Sequence, residues 1–398
     1  MDPVSFIPVL PIVLLALITL KVVSKVVPIS VVEGHYGSID GLRGYLAFFV
    51  FLHHSSIWYY FIRYRYWGFP PSNLYSHFGP TSVAFFFMIT AFLFFRKLMS
   101  VKNAGMDWLK LYVSRVLRIL PLYWLVVMLL FVIMLATSGF QLFLPVRAVL
   151  FQMAGWLVFM SPDINGLGGT GIIVAGVVGS LAFEWFFYCS LALVGHLVFR
   201  LRTPMIALVG STLFFCFFAI VIRLYYPHLA LLRICCFSGG ILAAFLMDHK
   251  RVRKIAVSYE FSLLMALLLG GMLYFYPSFD GVVPLICSVI VFIGIACGNT
   301  LFGILSRKIS RQLGQVSYSI FMLHGIFLFV TFNFVIGIPQ ARVLSPVLHW
   351  GIIALIAVVL VISSVLSYTY IELPFMNAAS NVTLRIRSRL AAYRTQAG

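Results

Sequence analysis

Long apolar runs alternate along the chain with short polar stretches in which the basic residues collect. At about 20 residues per bilayer crossing, the runs predict about eleven helices, near residues 4–22, 43–62, 81–98, 118–137, 173–199, 204–224, 232–248, 256–275, 282–304, 315–336 and 346–370. No segment shows the alternating period of outer-membrane strands. The predicted fold is therefore all-α, a polytopic integral membrane protein with ten transmembrane helices in a core and one ahead of it. Residues 4–20 have neither a basic lead-in nor a small-x-small cleavage site, so they read as a retained first helix rather than a removed signal. Residues 146–160 are apolar but short, and read as a re-entrant or interfacial segment.

Basic residues then orient the helices. One set of connections holds Lys21, Lys25 and Arg43; Arg96, Lys97, Lys102, Lys110, Arg115 and Arg118; Arg200 and Arg202; Lys250, Arg251, Arg253 and Lys254; Arg307, Lys308 and Arg311; and Arg385, Arg387, Arg389 and Arg394. The other set keeps Arg63, Arg65, Arg147, Arg223, Arg233 and Arg342. By the positive-inside rule the first set is cytosolic, which puts the N-terminus outside and the C-terminus in the cytosol. The expected organisation is an N-terminal helix and cytosolic linker over 1–37, one membrane-embedded domain over 38–376, and a basic cytosolic tail over 377–398.

Composition agrees with this pattern: 62% of the residues are hydrophobic and 10% charged, against roughly 25% charged in a soluble domain. The net charge of +18 sits in clusters between apolar runs, so the expected partner is the lipid bilayer and not nucleic acid. All six cysteines fall in apolar runs without metal-ligand spacing, and no metal is expected.

Against so apolar a background, ionisable groups inside a span are costly and point to function. The densest stretch is Asp40 to His54, D-G-L-R-G-Y-L-A-F-F-V-F-L-H-H. Arg43 and His54 are eleven residues apart, just over three turns, so they share a face with the histidine roughly 16 Å deeper. His53 points about 100° away. Asp40 suits the helix N-terminus and can pair with Arg43. Further on, Glu184 is the lone acid of its apolar helix, Arg115 and Arg118 share one face at a helix end, Arg233 marks the far end of its span, and His324 lies at a depth similar to His54. Trp58 belongs to an aromatic cluster just beyond His54 that offers flat faces to a sugar. A buried imidazole near pH 7 is the side chain best suited to take a proton from a hydroxyl, and it is also a nucleophile. A transporter or flippase for a glycan or lipid would need intramembrane charges too.

The motifs are more specific than the charges. S-I-D-G-L-R-G with a histidine eleven after the arginine is followed in order by F-F-F-M-I-T-A-F (85–92), R-V-L-R-I-L-P-L-Y (115–123), G-S-L-A-F-E-W-F-F-Y (179–188), R-I-C-C-F-S-G-G (233–240), L-G-Q-V-S-Y-S-I-F-M-L-H (313–324) and Y-I-E-L-P-F (370–375). This series resembles membrane-bound acyltransferase family 3, of the O-antigen and exopolysaccharide O-acetyltransferase type, here as a member without a fused extracytoplasmic esterase-like domain. The resemblance implies an enzyme of the bacterial inner membrane that moves an acyl group, most often acetyl, from cytosolic acetyl-CoA to a hydroxyl of an exported or lipid-linked glycan. It implies that Arg43 and His54 are the essential pair and that Arg115 and Arg118 are the Arg-x-x-Arg element. Two guanidiniums on one helix face suit the phosphates of coenzyme A, which Arg43 would also hold, and Glu184 reads as a carboxylate that orients His54. Arg233, His324 and Trp58 would then be placed toward the acceptor. Two departures stand out: Thr90-Ala91-Phe92 replaces the family's Ser-Gly-Phe, and a helix precedes the signature.

Overall fold

The structure is a computed structural model that describes residues 2–31, 36–101, 105–200, 209–210, 212–215, 217, 220 and 231–397, the side chains of 194–200, 231–234, 394, 396 and 397 excepted. The described residues form helices and no named strand, with one isolated bridge between Ile164 and Leu167. Chain order gives α1 (Val9–Val26), α2 (Gly37–Tyr64), α3 (Asn73–Phe78), α4 (Pro80–Ser100), α5 (Trp108–Thr137), α6 (Val146–Leu157), α7 (Val178–Arg200), α8 (Leu231–Leu246), α9 (Lys250–Ala256), α10 (Tyr259–Phe275), α11 (Val282–Ala296), α12 (Lys308–Gln315), α13 (Ser317–Val330), α14 (Ile338–Arg342), α15 (Pro346–Ser367) and α16 (Leu373–Ala397). Their starts follow local chemistry. Asp107, Ser258 and Ser345 accept the first-turn amides of α5, α10 and α15, which would otherwise lack partners.

Five described stretches are long and apolar enough to cross a membrane: Val9–Val26, Asn73–Ser100, Trp108–Thr137, Ser317–Val335 and Pro346–Tyr393. A sixth is obtained if α9 and α10, bent by 68°, form one broken span. The expected number of about eleven goes beyond these, for two physical reasons. First, α2 carries Asp40, Arg43, Arg63 and the two histidines, so its mean hydropathy falls although its 28 residues are ample in length. Second, the apolar helices at 146–157 and 282–296 are short; those at 178–193 and 235–246 are parts of α7 and α8, whose remaining side chains lie outside the described ones. The expected span at 204–224 lies largely outside the described residues. Helix α6 has 12 residues, about 18 Å, which is too short to cross a hydrocarbon core of about 30 Å. Helix α15 runs through a π turn, Tyr368–Glu372, into the 25-residue α16, which lies along α5 and is tied to it by Arg387 and Asp107 at 2.6 Å.

The ends of the helices are grouped in space. At one end, Arg96 pairs with Asp248 at 2.5 Å, Arg387 with Asp107, and Lys21 and Lys25 face Arg307 and Lys308. At the other, Arg63 donates to the Leu344 carbonyl, Arg342 to that of Ile62, Tyr75 to that of Ser5 and His77 faces that of Tyr276. Among the described residues, Arg96, Arg387, Lys21, Lys25, Arg307 and Lys308 of the first set and Arg63 and Arg342 of the second thus fall in separate groups of contacts.

Helix α2 is gripped at its start by close backbone contacts, which explains both glycines of D-G-L-R-G. A Cβ on Gly41 would sit 2.0 Å from the Leu305 carbonyl oxygen, one on Gly44 2.7 Å from the Gly314 nitrogen, and one on Gly314 1.8 Å from the Asp40 carbonyl oxygen. The motif therefore docks α2 on α12 and sets the height of Arg43. Gly41→Val is expected to destabilise the fold by an amount at or above the upper end of the ~1–3 kcal/mol range of overpacking, seen as loss of the monodisperse peak in detergent chromatography.

Candidate functional site

Helices α2, α4, α5, α7 and α13 enclose a cavity of about 300 Å³ at the end of the bundle that carries Arg96 and Asp107. Four cations line it: Arg43 from α2, Lys97 from α4, and Arg115 and Arg118 from α5. Glu184 is the single carboxylate in the lining. Its Oε1 accepts a hydrogen bond from the Tyr188 hydroxyl one turn on, so α7 presents acid and phenol on one face. The cations are poorly satisfied by the protein. Arg43 makes no hydrogen bond to the described residues, and the Lys97 ammonium makes none. Arg118 donates to the Met376 sulfur at 3.2 Å, and the Arg115 guanidinium lies 5.3 Å from the centre of the Phe94 ring while its Nε is buried without a hydrogen-bond acceptor. Four positive charges converging on one hollow, with one negative, make a site for a polyanion.

Phe321 and Phe86 line this cavity, packed edge to face with centroids 5.9 Å apart. Three residues beyond Phe321 on α13 is His324, fully buried, with its Nε2 3.0 Å from Nδ1 of His54. The tautomers follow from the carbonyls. His324 Nδ1 faces the Ile320 carbonyl at 3.2 Å, and a carbonyl only accepts, so that nitrogen holds the proton and Nε2 is an acceptor. His54 Nδ1 faces the Val50 carbonyl at 3.0 Å and shares its proton between that oxygen and His324. The remaining nitrogen, His54 Nε2, keeps its lone pair and has no hydrogen bond to the described residues. Trp67 lies nearly parallel to the His54 ring at 6.1 Å, and His324 at 5.0 Å, which fixes the ring's plane. His53 differs: its Nδ1 donates to the Tyr75 carbonyl at 2.6 Å, and its ring packs where a Cβ on Gly79 would sit.

A family model for acyltransferase family 3, described as an acyltransferase domain, matches residues 36–368. The chain belongs to this family. Neither the curated proteins nor the solved structures compared with it gave a match. Membership in acyltransferase family 3 makes the protein a membrane acyltransferase and favours an enzyme over a transporter. It also gives the site a frame: α2, with Arg43 near one end and His54 in its middle, joins the cationic cavity to the histidine pair.

Of the residues expected to act, the structure brings Arg43, Arg115, Arg118 and Glu184 to one cavity and His54 and His324 to one hydrogen bond. It does not bring Trp58 to either. That indole is fully buried, stacked on Phe332 at 5.6 Å and edge-on to Trp67. Trp67, half-buried, is the aromatic neighbour of His54 instead. Glu184 meets Tyr188 rather than His54, and lies among the arginines. The Arg233 side chain lies outside the described residues. Thr90, at the serine position of the acyltransferase 3 motif, lines the cavity and keeps a hydroxyl there.

Sequence reasoning missed two features of the acyltransferase 3 site. One is the set of cavity hydroxyls, Tyr188, Tyr318, Ser114 and Ser317; a signal for Tyr188 was its position four after Glu184. The other is Glu372, within the Y-I-E-L-P-F motif. It is fully buried, accepts a hydrogen bond from Ser319 through Oε1, and has Arg118 and Arg43 as its nearest compensating charges. Among the described residues no group of His, Cys, Asp or Glu is arranged to hold a metal.

Proposed function

We propose that the protein is an O-acyltransferase of the bacterial inner membrane, taking acetyl from cytosolic acetyl-CoA and placing it on a hydroxyl of a glycan on the other side. The observation that carries this reading is the succession, along one helix, of a cavity lined by four cations and a histidine whose Nε2 makes no hydrogen bond to the described residues. Coenzyme A is a polyanion with a long narrow arm. Arg43, Lys97, Arg115 and Arg118 supply charge-assisted donors for its phosphates, and the roughly 16 Å from Arg43 to His54 along α2 is on the order of the pantetheine length. The cation-rich end is the cytosolic one under the positive-inside rule.

The proposed chemistry needs one base. His54 Nε2 takes the proton of the acceptor hydroxyl as its oxygen attacks the thioester carbonyl; the carbon–sulfur bond breaks and coenzyme A leaves as its thiol once protonated. The imidazolium formed has its Nδ1 proton shared by Val50 and His324, so charge on the ring is spread into two acceptors. Trp67 offers an apolar face beside the ring for a pyranose to rest on. His54 acts here as a base and not as an acyl carrier.

The direct test is transfer of labelled acetyl from acetyl-CoA to membrane glycans by purified protein in vesicles; absence of both label transfer and coenzyme A release would sink the proposal. His324 has a positioning role. His324→Ala is expected to lower kcat about 10-fold with donor KM unchanged, and His324→Gln, which keeps an acceptor for His54 Nδ1, to recover most of the loss. A purely structural role would not distinguish the two replacements.

A further inference from the structure

A second cavity, of about 540 Å³, lies outside the site-bearing helices, between α1 and α12. Its floor is apolar: Leu14, Leu17 and Ile18 from α1, and Ile309 from α12. Its mouth is cationic, with Lys21 and Lys25 on α1 facing Arg307 and Lys308. All four cations are exposed, none is ion-paired among the described residues, and no carboxylate lines the groove.

Helical arithmetic gives the groove a direction. Residues 14, 17, 18, 21 and 25 share one face of α1, and the step from Leu14 to Lys25 spans about 16 Å of helix rise. The wall therefore passes from hydrocarbon-compatible to strongly cationic over roughly half a bilayer core. Four uncompensated positive charges round one opening repel one another and call for an anion. A small free anion would match the charges and leave the apolar floor unused.

Helix α1 has particular need of an occupant here. Only 17% of its spanning window is buried inside the structure. It leans on α15 and α12, and its far end is tied by two hydrogen bonds, Trp350 Nε1 to the Pro3 carbonyl and the Tyr75 hydroxyl to the Ser5 carbonyl. Past its basic end the tie to α12 is a single hydrogen bond, Gln312 Nε2 to the Ile29 carbonyl at 3.3 Å.

We propose that this groove binds an anionic glycerophospholipid, with the phosphodiester on Lys21, Lys25, Arg307 and Lys308 and an acyl chain along Leu14, Leu17 and Ile18, so that the lipid joins α1 to α12. Membrane-surface basic clusters attract such lipids, and the groove adds a shape for one of them. This site is separate from the donor cavity and does not depend on the acyl-transfer reading.

The experiment uses the full chain in nanodiscs of phosphatidylcholine alone or with phosphatidylglycerol, read by thermal unfolding and by native mass spectrometry. The expected result is a Tm higher by ~3 °C or more with phosphatidylglycerol and one retained phosphatidylglycerol per chain. Lys21→Gln, Lys25→Gln, Arg307→Gln and Lys308→Gln together should abolish both effects. Lys250→Gln, Arg251→Gln, Arg253→Gln and Lys254→Gln, which remove as much charge from the same end of the bundle, should leave both intact. If the groove variant fails to fold, Ile18→Trp, which fills the floor and keeps the charges, decides in its place: loss of the retained lipid supports the site and its persistence overturns it. The proposal also falls if the second charge set loses the effect equally, if the two lipid compositions give the same Tm, or if inorganic phosphate in phosphatidylcholine discs reproduces the shift.

Discussion

His54→Ala is expected to lower acetyl transfer by about 10³-fold, within the range assigned to a positioned general base, while coenzyme A still binds. The second half of the expectation separates this residue from the rest of the site. His54 does not line the cationic cavity; Phe321, which does, packs on His324, the partner of His54. Removing its imidazole therefore takes away the proton acceptor and leaves the phosphate-binding groups as they were. Calorimetric titration with coenzyme A should give a Kd within about twofold of the parent protein, and turnover should collapse. The neighbouring variant is the control: His53→Gln keeps a donor for the Tyr75 carbonyl and should retain most of the activity. If His53→Gln were inactive and His54→Ala active, the assignment of the base would be wrong. Quenching with acid after mixing with labelled donor should yield no labelled protein, since His54 is assigned as a base; trapped acyl-protein would move it to the nucleophile's role.

Arg43→Ala should have the opposite signature. Charge-assisted hydrogen bonds contribute roughly 1.5–3 kcal/mol each, and Arg43 is an enclosed guanidinium with no hydrogen bond to the described residues, so its donors are available to a ligand. The loss of two such bonds corresponds to a rise in donor Kd of more than about 100-fold. Arg43→Lys should recover only part of this, because an ammonium cannot make the paired contacts of a guanidinium. The measurement is donor binding with His54 intact. Unchanged affinity for coenzyme A in Arg43→Ala would remove this residue from the donor site. The change also leaves Asp40 and Glu184 without their shared cation, so folding should be checked by chromatography before binding is compared.

Much of this site could be read from the sequence because ionisable groups are rare in an apolar chain. Arg43, Glu184, Arg115 and Arg118 stood out one by one, and they converge on one cavity. Helix periodicity was enough to separate His54 from His53, since the two side chains leave α2 in different directions. The partnership of His54 with His324 was beyond reach, because it joins positions 270 residues apart and depends on how α13 packs against α2. Glu372 was misplaced for a local reason. Pro374 two residues later reads as the end of a span, yet the π turn Tyr368–Glu372 has already shifted the amide pattern, and the helix continues past the proline. The carboxylate is therefore carried into the interior. Trp58 shows the weakness of composition as a guide: among so many aromatic residues, nothing in the sequence distinguishes an indole that packs against Phe332 from one, Trp67, that lies over the histidine.

The Phe86–Phe321 contact bears on membrane energetics in the proposed orientation. A cavity open to one side and an acceptor approach from the other would together form a conducting path if water joined them. Phe86 and Phe321, packed edge to face in the cavity wall, are the apolar groups that would keep a dry layer there, and most of the transmembrane voltage would fall across it. Moving one elementary charge through it would cost about 2.3 kcal/mol per 100 mV. Under the proposed reaction the phosphates, and all their charge, would stay on the arginine side. What would pass the rings is the uncharged thioester end of the donor, so acyl transfer would neither draw on the membrane potential nor dissipate it.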